Sequence, residues 1–265
     1  MSPNSSRPGT RIHPGAFVDP DAELGQGVEV GPGAVIGPGV VLADRVRVGP
    51  HVVLTGDLHI GEETRIFAGA VLGEEPQDLG FRGEASRVRI GARCTIREHV
   101  TIHRGTGEGT ETVIEDHAFL MAGCHVAHNC RVSERAILAN GVLLAGHVTV
   151  GVRAFLSGNT TVHQFCRVGS LAMVGGLARV SQDVPPFALV TGDCRVRGVN
   201  SVGVRRAAVP RDGQEEIRAF YKVLYRSGLE RAAAIRRITE EARSEAGREL
   251  ARFLTAPTRR GLAET

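Results

Sequence analysis

Three histidines stand at intervals that fit one repeat of 18 residues. Subtracting one repeat from His147 and two repeats from His163 gives positions 129 and 127, on either side of His128. An imidazole whose pKa is near its ordinary value of about 6.5 is the usual general base at neutral pH. The backbone N–H of a neighbouring glycine, Gly146, can stabilise an oxyanion. If these residues lie together, they suit the transfer of an acyl group to a hydroxyl without a covalent intermediate.

More polar residues belong to the same part of the repeat. They are Asn129, His125, Gln164 and, in a loop, Gln77 and Asp78. The loop leaves the repeat at Gly73, which is three repeats before position 127 and therefore belongs to the same ridge. We expect this ridge to hold the candidate active site.

Two other functions fit parts of this pattern. Three imidazoles that converge on one ion at about 2.0 to 2.1 Å could hold zinc, as in a carbonic-anhydrase-like metalloprotein. A purely structural or binding solenoid would account for the repeat but not for the polar residues on one ridge. No serine or cysteine stands in a local nucleophile motif, so a covalent mechanism is not indicated. For the acyltransferase we expect neither a metal nor a cofactor.

The repeat is built from hexads. From residue 12 to residue 180 an aliphatic side chain occupies every sixth position, and only Asp78, Glu84 and Glu108 break the rule. Neither the period of a helix nor the alternation of a simple strand gives this pattern. It is typical of a parallel β-helix with three hexads in each triangular coil. Because neighbouring strands lie about 4.8 Å apart, residues 18 apart in sequence are predicted to be stacked neighbours.

The extent of the hexads predicts how the chain is divided. Residues 1–11 are expected to form a flexible leader, residues 12–186 the β-helix, and residues 187–265 a connecting segment with a helical domain. Loops at residues 73–89 and 103–113 interrupt the coils. Irregular segments of this length in a regular solenoid are usually functional or mobile.

Helical spacing returns near the carboxyl end, over residues 214–226, 229–246 and 248–254. Helices there would cover the strand edges at the end of the β-helix, which would otherwise be unpaired. The 34 glycines and the absence of tryptophan fit thin coils with small interiors. No run of 18 apolar residues and no apolar leader is present, so we expect no membrane span and a cytoplasmic location. Nothing indicates a nucleic-acid partner.

Several motifs resemble those of one enzyme family. They are TIHRGT at residues 101–106, HVAHNC at 125–130, LAGHV at 144–148, VHQFC at 162–166 and QDVPP at 182–186. In these segments the chain resembles the bacterial UDP-N-acetylglucosamine O-acyltransferases that begin lipid A synthesis. The segment YKVLYRSG at residues 221–228 and the ending RGL at 260–262 extend the resemblance into the helical tail.

The resemblance implies a left-handed β-helix and a homotrimer with active sites between adjacent prisms. The reaction would transfer an (R)-3-hydroxyacyl group from acyl carrier protein to the 3-hydroxyl of the sugar nucleotide. By motif position His128 would be the general base and the Gly146 amide the oxyanion donor. The groove for sugar nucleotide and acyl chain would be lined by Gln77, Asp78, His125, His147, His163 and Gln164.

Other positions are assigned only through the resemblance. Asn200 and Arg206 would meet the uridine and phosphate end of the nucleotide. Gly176 and Cys194 align with the region that limits acyl length. A net charge of +3 and clustered arginines suit an acidic carrier protein.

The chain also departs from the family pattern. Asn129 stands where an aspartate commonly follows the catalytic histidine, and an amide cannot stabilise an imidazolium by charge. Val202, Ala207 and Gly80 replace a glutamate, an arginine and a lysine found in some members. These changes keep a UDP sugar with a 3-amino group open as an alternative acceptor.

Overall fold

The computed structural model describes residues 8–265. Of the predicted leader, residues 1–7 lie outside this range, and the first strand already begins at Arg11. The strands β1 to β14 are, in chain order, Arg11–Ile12, Phe17–Val18, Glu23–Leu24, Glu29–Val30, Val35–Ile36, Val40–Leu42, Arg47–Val48, Val53–Leu54, Asp57–Ile60, Arg65–Ile66, Val71–Glu74, Arg87–Ile90, Thr95–Ile96 and Thr101–His103. The strands β15 to β28 are Glu111–Ile114, Phe119–Leu120, His125–Val126, Arg131–Val132, Ile137–Leu138, Leu143–Leu144, Thr149–Val150, Phe155–Leu156, Thr161–Val162, Arg167–Val168, Met173–Val174, Arg179–Val180, Ala188–Thr191 and Arg195–Val199.

Successive strands are distributed in turn over three parallel sheets, which we call faces A, B and C. Face A contains β1 and every third strand to β25, followed by β27 and β28; face B runs from β2 to β26, and face C from β3 to β24. On face B, Val126 pairs with Leu144 and Leu144 with Val162. The predicted 18-residue register of a parallel β-helix is therefore confirmed.

The hexad pattern determines which side chains point inward. In the two-residue strands the second residue is the regular aliphatic position, and it is almost always buried, whereas the first residue points outward. Because successive side chains of a strand alternate between its two sides, one hexad supplies one interior and one exterior position per face. At the corners the chain turns through left-handed backbone, for example at Asn129 (φ 59°) and His147 (φ 60°).

Two loops leave the prism between faces B and C. They comprise residues 75–86, between β11 and β12, and residues 104–110, between β14 and β15. Both are shorter than the predicted loops at residues 73–89 and 103–113. The loops are shorter because the strands that follow them begin earlier: β12 begins at Arg87 and β15 at Glu111, and these two residues pair with each other.

The segment after residue 186 begins with strands, which the sequence analysis did not predict. Strand β27 pairs with β25 and continues face A, and β28 folds back on it as an antiparallel partner. Helices α1 to α4 follow at Ser201–Arg206, Arg211–Arg226, Arg231–Glu241 and Glu245–Thr255. No helix among residues 8–265 is both long and apolar enough to cross a membrane.

The carboxyl-terminal tail returns to the last coil of the prism. Asp183 is 1% exposed and pairs with Arg167 at 2.8 Å. Its backbone N–H donates to the carbonyl of Gly261, and its carbonyl accepts from the N–H of Ala263. Tyr225 of α2 also donates to the Ala263 carbonyl, at 3.0 Å. The tail is therefore tied both to the prism and to the helices.

Candidate active site

The turns that join face B to face C form one ridge, which we call the B–C corner. Residues 127–130 turn after β17, and Gly146 and His147 lie in the equivalent turn after β20, one coil further on. The rings of His128 and His147 are perpendicular, with centroids 5.2 Å apart. The structure thus places these two imidazoles on one ridge, as the 18-residue repeat predicts.

One ring nitrogen of His128 is held by the side chain that follows it. His128 Nδ1 lies 2.7 Å from Asn129 Oδ1. The same oxygen accepts the backbone N–H of Thr106 at 3.0 Å, and Asn129 Nδ2 donates to the Thr106 carbonyl at 3.4 Å. These two contacts determine which end of the amide faces the ring. Because an amide oxygen only accepts, His128 must carry its proton on Nδ1, which leaves the lone pair on Nε2.

The second ring nitrogen faces a glycine. A Cβ atom at position 146 would lie 2.4 Å from His128 Nε2, so only glycine fits there. The Gly146 N–H donates to no acceptor within residues 8–265, while its carbonyl accepts from the N–H of Phe165. A free backbone donor therefore lies beside the nitrogen that can accept a proton.

Asp78 approaches the same nitrogen from the loop of residues 75–86. Its Oδ2 lies 3.8 Å from His128 Nε2. The backbone N–H of Gly80 donates to Asp78 Oδ1 at 2.8 Å. That hydrogen bond, with a smaller contribution from the charge of His128, lowers the pKa of the Asp78 carboxyl. Asp78 is therefore ionised at neutral pH, and the neighbouring Gln77 is exposed on the same loop.

His125 and His103 form a second pair of imidazoles: His125 lies on the same coil as His128, and His103 lies on the coil before it. The rings of His103 and His125 are perpendicular, with centroids 5.0 Å apart, and His125 Nδ1 lies 2.8 Å from Thr101 Oγ1. Burial lowers the pKa of His125 to about 4 and also lowers the pKa of His103. Both rings are therefore neutral at pH 7. His103 Nδ1 is buried without a hydrogen-bond partner in the part of the chain described.

His103 and Thr106 were missed in the sequence analysis because the second loop shifts the spacing. Ile102 pairs with Val126, which is 24 residues later rather than 18. Counting the extra six residues of the loop would have placed His103 at the same ridge as His128.

The outer part of the ridge is a stack of rings that reaches the carboxyl-terminal tail. His147 stacks on Phe165, with centroids 4.7 Å apart, and the guanidinium of Arg259 lies 4.5 Å from the centre of the Phe165 ring. Burial, with smaller contributions from nearby positive charges, lowers the pKa of His147. His163 and Gln164 are exposed beside this stack, and His163 Nδ1 donates to the Gln164 carbonyl at 3.2 Å.

Four of the predicted site residues lie away from the B–C corner of the same chain. Asn200 donates to the carbonyl of Leu171, which is at the corner between faces C and A, and its Oδ1 caps α1. Arg206 is exposed at the end of that helix. Gly176 is exposed at the corner between faces A and B. Cys194 is buried in the hairpin, with Sγ 3.6 Å from the Gln182 carbonyl.

An apolar column that the sequence analysis did not single out runs along the outside of face A. It consists of the half-buried side chains of Phe119, Ile137, Phe155 and Met173, which are stacked by strand pairing. The signal was present in the sequence, since each of these residues directly precedes a regular aliphatic position. Leu189 continues the column beyond Met173, and the turn that contains Gly176 lies beside Met173.

Comparisons with known proteins identify the family. A relative from Gloeothece citriformis, named acyl-[acyl-carrier-protein]--UDP-N-acetylglucosamine O-acyltransferase, is 45% identical over 195 residues, which are 73% of this chain and 71% of the relative. A relative of the same name from Halorhodospira halophila is 50% identical over 222 residues, which are 83% of this chain and 86% of the relative. The chain belongs to the UDP-N-acetylglucosamine O-acyltransferase family. The family description "Udp N-acetylglucosamine O-acyltransferase; Domain 2" matches residues 183–263, and the bacterial transferase hexapeptide description matches residues 9–44.

Solved structures of UDP-N-acetylglucosamine acyltransferases have the same fold. The enzyme from Bacteroides fragilis superposes with a TM-score of 0.91 at 35% identity, covering 96% of this chain and 100% of that one. The enzyme from Acinetobacter baumannii gives 0.89 at 34% identity, covering 96% and 99%. The predicted left-handed β-helix with a helical tail, and the predicted O-acyltransferase family, are confirmed.

The zinc alternative required three imidazoles that converge on one point. Among residues 8–265 no group of three or more histidine, cysteine, aspartate or glutamate side chains is placed to hold a metal ion. His128 instead directs Nδ1 at Asn129, and His125 directs Nδ1 at Thr101. In this arrangement one ring nitrogen of His128 lies beside a backbone N–H donor, an arrangement that is suited to acyl transfer by general-base catalysis.

Proposed function

We propose that this chain transfers an (R)-3-hydroxyacyl group from acyl carrier protein to the 3-hydroxyl of UDP-N-acetylglucosamine, the first step of lipid A synthesis. The observation that carries the proposal is the position of His128 Nε2, the ring nitrogen that Asn129 does not hold, which is adjacent to the free N–H of Gly146. The membership of the chain in the O-acyltransferase family supports the choice of substrates.

In the proposed mechanism His128 Nε2 removes the proton from the sugar hydroxyl as the oxygen attacks the thioester carbonyl. The carbonyl oxygen becomes the oxyanion of a tetrahedral intermediate and accepts the N–H of Gly146. The intermediate then expels the thiolate of the carrier, which receives the proton from the imidazolium. The Asn129 carbonyl keeps the Nδ1 proton in place throughout, so that Nε2 is the nitrogen that gains and loses the proton.

A basic groove beside α2 supports an acidic carrier protein as the acyl donor. The groove has a volume of about 460 Å³ and lies between β28 and α2. Its cationic lining residues are Arg197, Arg218, Lys222 and Arg226. A patch of one sign of charge attracts and orients a partner of the opposite sign. We propose this groove as the docking site for the carrier.

A homotrimer is proposed because one chain does not bring all the predicted site residues to one ridge. Asn200 and Arg206 of one protomer would meet the nucleotide held at the B–C corner of its partner. The apolar column on face A supports such an interface, because half-buried aromatic and aliphatic side chains on a sheet surface are stabilised by a covering partner. In this arrangement the acyl chain would follow the column toward Gly176. The burial of Cys194 does not support a role for its side chain in acyl length.

A cytoplasmic location is proposed from the substrates, because an acyl carrier thioester and a nucleotide sugar are metabolites of that compartment. The five free cysteines are all buried in the interior, and burial raises the pKa of their thiols. They are therefore unreactive apolar side chains rather than components of a disulfide framework.

The test is an acyl-transfer assay that combines acyl carrier thioesters of several chain lengths with two acceptors. UDP-N-acetylglucosamine and its 3-amino analogue should be compared at equal concentration, with 3-hydroxyacyl and unsubstituted acyl donors. We expect turnover with the 3-hydroxyacyl donors and UDP-N-acetylglucosamine. Faster turnover of the 3-amino analogue would assign the alternative acceptor, and the absence of transfer to either acceptor would overturn the proposal.

A further inference from the structure

Arg104 lies between the two loops of the B–C corner. Although charged, its side chain is only 19% exposed, and its Nη2 lies 3.1 Å from Glu75 Oε1. Its guanidinium carbon lies 5.4 Å from the centre of the Phe81 ring. The Arg104 backbone N–H donates to the carbonyl of Glu74 at 3.0 Å. All three partners belong to the loop of residues 75–86 or to the strand that leads into it.

The two side-chain partners of Arg104 flank Asp78. Glu75 precedes Asp78 by three residues and Phe81 follows it by three. Between them the turn is closed by Asp78, whose carbonyl accepts the N–H of Phe81 at 3.0 Å and whose Oδ1 accepts the N–H of Gly80. Arg104 therefore holds both ends of the short segment that presents Asp78 to His128 Nε2.

A glycine provides the space that Arg104 occupies. A Cβ atom at Gly56 would lie 3.1 Å from Arg104 Nη1 and 2.9 Å from the Gly73 carbonyl oxygen. An ion pair with a glutamate as exposed as Glu75 contributes little by itself. The ring contact, the backbone hydrogen bond and the confined position of the guanidinium together give the contact a defined geometry.

The same segment also serves the other side of the His128 ring. Two residues after Arg104, the backbone of Thr106 orients the Asn129 amide against His128 Nδ1. Arg104 and Thr106 thus support the partners of the two ring nitrogens, Asp78 and Asn129.

We infer that Arg104 is a positioning residue, which holds Asp78 in place beside His128 through its contacts with Glu75 and Phe81. The expected effect on the reaction rate rests on the proposed function. The expected effect on the position of the loop does not. Arg104 touches no reacting atom. Its removal should affect the reaction only through the position of Asp78.

The kinetic test is a double-mutant cycle with Arg104→Ala and Asp78→Ala, measured as kcat/KM for acyl transfer. We expect Arg104→Ala to lower kcat/KM roughly ten- to a hundredfold, because a misplacement of about 1 Å has effects of that size. Adding Arg104→Ala to Asp78→Ala should cause little further loss. Arg104→Lys retains the charge but not the planar contact with Phe81, and should restore part of the rate. Independent, multiplicative effects of the two alanine substitutions would overturn the inference.

A structural readout does not depend on activity. In Arg104→Ala, amide hydrogen exchange should become faster over residues 75–86 and stay unchanged over residues 131–150. Arg45→Ala is the matched control, since Arg45 pairs with Glu63 at 2.9 Å across adjacent coils at the corner between faces C and A. It should alter neither kcat/KM nor exchange in the loop. Unchanged loop exchange in Arg104→Ala would overturn the inference even if the enzyme had another substrate.

Discussion

His128 Nδ1 lies 2.7 Å from Asn129 Oδ1, so the candidate base is held by a neutral amide. An aspartate at this position would add a negative charge beside the ring. The amide performs the geometric part of that role, because its contacts with Thr106 determine that its oxygen faces His128. It supplies no negative charge of its own, so the carboxylate beside the ring is that of Asp78, 3.8 Å from Nε2.

Asn129→Asp should separate these two contributions. A carboxylate beside the imidazole favours the protonated ring, so the acid limb of the pH profile of kcat should move to higher pH, by about one unit. Asn129→Ala should instead lower kcat by about a hundredfold, because the proton is no longer confined to Nδ1. The measurement is kcat from pH 5 to 9 for the three proteins. An unchanged acid limb in Asn129→Asp would mean that this pair does not control the reaction.

His128→Ala should lower kcat by roughly 10²- to 10⁴-fold, which is the usual contribution of a general base. His117→Asn is the control, since His117 occupies a corner turn with φ 59° that asparagine tolerates. That variant should retain the full rate. Sedimentation of both variants should match the parent protein. A His128→Ala enzyme with near-normal turnover would remove His128 from the mechanism.

Gly146→Ala should abolish activity without unfolding the protein. The added methyl group would lie 2.4 Å from His128 Nε2 and would displace the ring from the acceptor hydroxyl. Gly37→Ala is the control, because Gly37 lies in a corner turn near the other end of the prism, and the nearest atom to its Cβ would be the Leu54 carbonyl oxygen at 3.4 Å. Turnover and the thermal unfolding midpoint should be measured for both. Retained activity in Gly146→Ala would contradict the close contact between Gly146 and the His128 ring.

The pKa of His125, lowered to about 4 by burial, predicts a pH dependence of stability. The unfolded chain binds a proton at this residue below about pH 6.5, whereas the folded protein resists protonation until about pH 4. Stability should therefore fall as the pH decreases from 6.5 to 4. His103 and His147 contribute in the same direction. In His125→Asn the unfolding midpoint should decline less steeply over this interval, and an identical slope in the two proteins would show that His125 is not the group responsible.

Much of the fold could be predicted from the sequence because the contacts in a β-helix are made between neighbouring coils. Each coil contacts only the coils before and after it, so a period of 18 residues converts sequence spacing directly into spatial neighbours. The spacing alone therefore places His128, His147 and Gly146 on one ridge. The same rule failed for His103, since six extra residues in the second loop shift the count.

Where the repeat is interrupted or ends, only the tertiary structure shows how the side chains are placed. The orientation of Asn129 depends on the backbone of Thr106 in a loop, and the approach of Asp78 depends on Arg104 in another part of the chain. Loops have no period that relates them to the coils they touch. Likewise the hairpin and helices after residue 186 carry Asn200 to a different corner from His128, because antiparallel pairing and helix packing replace the stacking rule. The sequence alone thus determined the prism and its histidine ridge, whereas long-range contacts decided how the side chains on that ridge are oriented.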